Sequence, residues 1–153
     1  MSKIDKIDNK ILELLFNDGR SSASFIAEEV GLSVPATADR IKKLQDSDVI
    51  LGFRPILNSE KIGVDITAFI TVYSESSKNF ERVVLNAQKN PHVMKCYTTT
   101  GDGSHLLLVK VGNTKSLEKL LRTIQEWPGV TRTQTQIVLS SYIQKESSTL
   151  IKK

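Results

Sequence analysis

Ser33, Val34, Ala36, Thr37, Arg40, Lys42 and Lys43 crowd into one short stretch, and their types suit contact with nucleic acid. At the N-terminal end of a helix lying in a major groove, residues 33, 34, 36 and 37 face base edges. Arg40 has the fork to grip a guanine or a phosphate, while Lys42 and Lys43 suit phosphates. Ser22, at the start of the preceding segment, joins them where a helix would cross the phosphate backbone. Catalytic signals are missing. The chain has no Ser/His/Asp or Cys/His set at recognisable spacing, no Gly-rich loop followed by Lys, and no paired metal-ligand motif. A single cysteine, Cys96, excludes an intramolecular disulfide and a cysteine-based zinc site. It reads as a small core residue on a strand, His92 as a surface histidine and Trp127 as a packing residue at a helix end. No enzyme activity, cofactor or metal is expected.

Charge fits this with a condition attached. The net charge is +4, but residues 1–58 hold eight Lys/Arg against nine Asp/Glu, so positive charge near residues 33–43 must be focused on one face. The 39% hydrophobic and 25% charged fractions are those of a globular protein. No run reaches the ~20 apolar residues of a membrane span, and Met1–Asp5 lacks the apolar core of a signal peptide, which points to the cytoplasm and to no membrane partner.

These residues need helices to position them. Ile4, Ile7, Ile11, Leu14 and Leu15 form an apolar stripe, Asp5 is a candidate N-cap with Asp8 three residues on, and Asn17-Asp18-Gly19 is a stop, predicting a helix over 5–17. Ser22 can cap a second helix that Gly31 ends through a left-handed residue. Ser33 then caps a third, with Pro35 tolerated in its first turn and Ala36, Ile41 and Leu44 facing inward. Two short helices around a glycine turn make a helix-turn-helix, whose second helix lies in the major groove. Val49–Leu57 reads as two short strands around Gly52, a small wing.

The second half changes character. Residues 66–73, 93–100, 105–111 and 130–143 are β-branched or alternating and read as strands; 79–89 and 117–124 carry helical apolar stripes. The order β-α-β-β-α-β, with Asn90-Pro91-His92-Val93 echoed by Trp127-Pro128-Gly129-Val130, predicts a ferredoxin-like split βαβ fold. Such a sheet has both helices on one side and a bare second face, which predicts a homodimer. The chain therefore divides into an α+β arrangement: residues 1–52 a winged helix-turn-helix, 53–64 a linker strand, and 65–153 the βαββαβ domain.

Ile4–Leu12, Asp18-Gly19-Arg20-Ser21-Ser22, Ile26-Ala27, Val30-Gly31-Leu32-Ser33, Arg40–Leu44, Val49-Ile50 and Gly52-Phe53 together resemble the Lrp/AsnC (feast/famine) family of prokaryotic regulators. The likeness runs to about Ser141. It implies a DNA-binding dimer, often an octamer, regulating amino-acid-related genes, with an amino-acid effector bound between dimers at the loop joining the second and third strands of the C-terminal domain. That loop is here Thr100, Gly101, Asp102, Gly103, Ser104 and His105, and a glycine-rich turn can offer backbone groups to an α-carboxylate and α-ammonium. Thr133, Thr135 and Gln136 match the family's Thr-x-Thr segment and would add hydroxyl and amide contacts. Ser104 stands where the family has an aspartate, weakening ammonium recognition, with Asp102 nearby. Asp48 replaces a glycine after the third helix, and Phe25 an acidic residue of the second. Two alternatives stay open: an enzyme resembling siroheme decarboxylase on the same scaffold, and a DNA-architectural protein that senses nothing.

Overall fold

Local capping decides where the first helices begin and end. In a computed structural model, which describes residues 4–142, α1 (Lys6–Asn17) opens on a reciprocal capping box. The Asp8 N–H donates to the Asp5 carboxylate at 2.8 Å and the Asp5 N–H donates to that of Asp8 at 3.0 Å. α2 (Ala23–Val30) is capped by Ser22 Oγ, and α3 (Val34–Asp46) by Ser33 Oγ, which accepts from the Ala36 N–H at 3.3 Å. Gly31, at φ 70°, ends α2. After α3 Asp48 takes the same left-handed conformation at φ 57°, and the Asp48 and Val49 N–H groups donate back to the carbonyls of Gln45 and Leu44. That is the Schellman closure, tolerated by Asp better than by most side chains. Ile11, Leu15, Ile26 and Leu44 form the core of this unit, with Ile7, Ile41 and Ile50 against it.

The expected wing is not formed. No strand occurs between α3 and residue 66. The Ile50 N–H, like that of Val49, is spent on the Leu44 carbonyl, Pro55 has no donor to offer, and Leu51 and Ile56 are 90% and 97% exposed. An isolated two-stranded ribbon with no apolar face to bury is marginal in water.

The described residues divide into two units, the first running to Ile56 and the second spanning Leu57–Tyr142. In the second, β1 (Ile66–Ser74), α4 (Phe80–Lys89), β2 (Val93–Thr98), β3 (His105–Val111), α5 (Thr114–Gln125) and β4 (Val130–Ile137) build one antiparallel sheet in the order β2-β3-β1-β4. The last strand stops at Ile137, short of the expected Ile143; that residue, like the rest of the chain to 153, lies outside the described residues. The sequence echo is an echo of structure. Val93 N–H donates to the Asn90 carbonyl, and Val130 N–H to that of Trp127, both at 3.1 Å, so each helix enters its edge strand through the same turn.

Residues directly opposite in an antiparallel pair share a face. Ile66, Ala68, Ile70 and Val72 of β1 therefore line up with Val111, Val109, Leu107 and His105 of β3, and this face packs against Val83 and Ala87 of α4 and Leu117, Leu120 and Ile124 of α5. The second face presents Phe69, Thr71, Tyr73, Leu106 and Leu108. No described helix is long and apolar enough to cross a membrane.

Candidate nucleic-acid interface and effector loop

Ser33, Val34, Ala36, Lys42 and Lys43 are exposed on α3. Thr37 is not. It is fully buried, with its hydroxyl donating to the Ser33 carbonyl at 3.1 Å. The inward stripe of α3 is Thr37, Ile41 and Leu44, at i, i+4 and i+7, so Ala36 swings out and Thr37 in, the reverse of the sequence expectation. Once its hydroxyl is satisfied one helical turn back, threonine is an adequate core residue.

Arg40 also has an engagement that the sequence did not reveal. Its Nη1 lies 2.7 Å from Asp5 Oδ2 and 2.8 Å from Asp8 Oδ1, fastening the middle of α3 to the first turn of α1. The Asp8 N–H and the guanidinium together hold the Asp5 carboxyl below its ordinary value, and the two carboxylates push the Arg40 guanidinium further up. Lys43 Nζ sits 2.8 Å from Asp39, both exposed. Among the described residues, Lys42 is the cation of α3 with no acidic partner.

In the second unit, residues 99–104 turn tightly from β2 into β3. Thr99 N–H donates to the Ser104 carbonyl, Gly101 sits at φ 105°, and Thr100, Gly101 and Asp102 are exposed. Gly103 is required by close approach, because a Cβ there would lie 2.2 Å from Thr71 Cγ2. Gly103→Ala should therefore lower stability by ~1–3 kcal/mol through overpacking. Thr71→Ser, which deletes that methyl, should restore most of the loss in the double variant. Equal melting temperatures for wild type and Gly103→Ala would contradict this contact.

Ser104 is tied inward. Its N–H and its hydroxyl both donate to the Val72 carbonyl, at 2.9 and 3.1 Å, and its Oγ lies 2.9 Å from His105 Nδ1. His105 is not a loop ligand, as expected from sequence, but the first residue of β3. It is fully buried on the helix-covered face, edge-on to Phe80, and its Nε2 has no hydrogen-bond partner. Burial pushes its pKa below the ordinary 6.5 and keeps it neutral. Above pH 6.5 the burial costs nothing through titration, and folding stability falls as pH drops below that value, because only the unfolded chain takes up the proton freely. The second unit should accordingly melt at a lower temperature at pH 5 than at pH 7.5, and His105→Phe should flatten that difference. An unchanged pH slope in the variant would refute it.

The three β4 residues do not converge. Thr133 and Thr135 pair with Val72 and Ile70 on the helix-covered face, where Thr133 Oγ1 accepts from Gln125 Nε2 at 3.1 Å. Gln136 pairs with Phe69 on the opposite face. His92 is exposed, Cys96 half-buried and Trp127 buried.

Comparison with known proteins gives these features a place. The family model described as the AsnC-type helix-turn-helix domain matches residues 4–45, and that described as the Lrp/AsnC ligand binding domain matches residues 67–148. The chain belongs to the Lrp/AsnC family. It is 35% identical, over 96% of its length and 95% of the relative's, to the HTH-type transcriptional regulator FL11 of Pyrococcus horikoshii. The structure resembles that of AsnC from E. coli, with a TM-score of 0.87, 26% identity, and 95% and 99% of the two chains covered. It resembles equally the feast or famine regulatory protein of M. tuberculosis complexed with L-methionine, with a TM-score of 0.88, 29% identity, and 95% and 98% covered. This Lrp/AsnC chain is thus a DNA-binding transcriptional regulator and not an enzyme on the same scaffold. The matched helix-turn-helix segment contains both ends of the Arg40 fork, and the matched ligand-binding segment contains the Gly101–Gly103 turn.

Proposed function

We propose that this Lrp/AsnC regulator binds double-stranded DNA as a homodimer and responds to an amino acid held at the loop Thr100–Ser104. What carries the reading is the leading end of α3, capped by Ser33, exposed from Val34 to Ala36, and joined to α2 through a left-handed glycine. Ser33, Val34 and Ala36 meet the groove, with Lys42, Lys43 and Ser22 toward the backbone; Arg40 and Thr37 hold the helix rather than touch DNA. The second sheet face, with Phe69, Leu106, Leu108 and the exposed Tyr97, is apolar enough to be buried between two copies. Two-fold symmetry then sets half-sites about one helical turn apart.

The effector reading is supported by the exposed Gly101 turn and by the similar M. tuberculosis protein, which binds L-methionine. Ser104 offers no carboxylate to an ammonium group, so response to common amino acids is weaker than an aspartate would give. A melting screen of wild type and Ser104→Asp against the twenty amino acids, L-methionine first, tests this. Ligand at 100 times its Kd stabilises the folded state by ~2.7 kcal/mol. Stabilisation that strengthens in Ser104→Asp supports the reading; no shift in either protein favours an effector-independent architectural role. A monomer by light scattering at micromolar concentration would remove the dimer.

A further inference from the structure

The leading surface of α3 carries apolar groups where a helix that reads bases by hydrogen bonds would carry polar ones. Val34, Pro35, Ala36 and Ala38 are exposed, Val34 at 43%. The side chains that could have supplied base-reading donors or acceptors nearby are already engaged. Thr37 is buried on the Ser33 carbonyl, Asp39 pairs with Lys43, and Arg40 is held by Asp5 and Asp8. The Ser33 hydroxyl is occupied as acceptor by the Ala36 N–H. No Asn, Gln, Arg or Glu, the residues that pair bidentately with adenine, guanine or cytosine edges, lies in the first turn. One base-edge feature in the major groove is recognised by apolar contact, and that is the thymine 5-methyl. Val34 and Ala38 are one helical turn apart, Lys42 one turn further, so two methyl-bearing side chains and a free cation follow one another along a single row.

We infer that α3 reads its operator by apolar contact between thymine 5-methyl groups and Val34 and Ala38, with Lys42 on an adjacent phosphate. Sequence preference then falls on A·T pairs and depends on the methyl group itself, not on base pairing or on a hydrogen-bonded edge. The inference rests on α3 being the reading helix, as proposed above.

The test uses the full-length protein and duplexes that it selects from a random-sequence pool. The selected duplexes are synthesised twice, with thymine or with deoxyuridine, which pairs identically and lacks only the methyl. Burial of one methyl is worth about fourfold in affinity, so the deoxyuridine duplex should bind about fourfold more weakly for each methyl in contact. Val34→Ser keeps the helix cap and surface position but removes the methyl-bearing side chain; it should shrink the thymine-to-deoxyuridine ratio by about that factor while its melting temperature stays at the wild-type value. Equal affinity of wild type for the two duplex forms overturns the inference and leaves DNA binding standing. Retention of no duplex at low salt overturns both this inference and the reading on which it rests. A ratio that Val34→Ser and Ala38→Gly both leave unchanged, with folding intact, also overturns the assignment to α3.

Discussion

Ile26→Ala is expected to abolish DNA binding while leaving the melting transition of the βαββαβ unit in place. Ile26 is fully buried in a core that it shares with Ile11, Leu15 and Leu44. Truncating a buried isoleucine to alanine costs ~2–5 kcal/mol through lost transfer energy and the cavity left behind. A three-helix unit of about this size has a net stability of only a few kcal/mol, so the substitution removes most or all of it. The sheet unit has a separate core built on Ile70, Leu107, Val83 and Ile124, which the substitution does not touch. Calorimetry should show the low-temperature transition lost and the other retained. A variant that keeps full affinity, or one in which both transitions disappear together, would contradict the division into two cores.

The second large effect separates two cations two residues apart in chemistry as well as in place. Arg40→Ala should lower the melting temperature of the helix-turn-helix unit and weaken all duplexes alike, because it breaks the fork to Asp5 and Asp8 that fastens α3 to α1. Lys42→Ala, two positions on, should leave melting unchanged, weaken all sequences about equally and flatten the salt dependence by about one unit of slope. The fork has its own pH signature. Since the Asp5 pKa is lowered, its contribution is fully present above about pH 3.8 and is lost as pH falls through the depressed folded value. The Arg40→Ala deficit should therefore be constant from pH 5 to 8 and vanish in strong acid. Relaxed specificity at one base position in Arg40→Ala, with wild-type melting, would show instead that the guanidinium leaves the carboxylates to read DNA.

What the sequence made legible was local. Asp5 with Asp8, Ser22, Gly31, Ser33 and Asp48 each act within a few residues of themselves, and caps of that kind can be read directly from residue type and spacing. The Arg40 fork spans 35 residues, and nothing in the spacing distinguishes a carboxylate that only caps a helix from one that also holds an arginine. Thr37 misled because polarity stands for exposure only while the hydroxyl lacks a partner. The apolar runs on either side of Gly52 looked like a hairpin, but a strand needs a partner and a face to bury, and Val49 and Ile50 give their donors to α3.

Other misreadings were avoidable. His105 opens the strand read over 105–111 and alternates with Leu107, Val109 and Val111, the period-two signature of the buried face, so its inward position was available from the sequence. Thr133 and Thr135 differ from Gln136 in parity, which by itself sends them to opposite faces of the sheet. Ser104 is legible as a substitution but not as an inward-tied hydroxyl, since its acceptor, Val72, comes from a strand 32 residues earlier.

The central claim is that the α3 surface of a dimer binds duplex DNA under the control of an amino acid. The most direct measurement is anisotropy titration of the full-length protein on duplexes recovered from genomic footprints, with and without L-methionine and the other amino acids that raise its melting temperature. The account predicts saturable binding at two half-sites about one helical turn apart, lost in Ile26→Ala, with an affinity that changes when a stabilising amino acid is added. Binding that is equally tight to every duplex, indifferent to each of these ligands and retained in Ile26→Ala would contradict it.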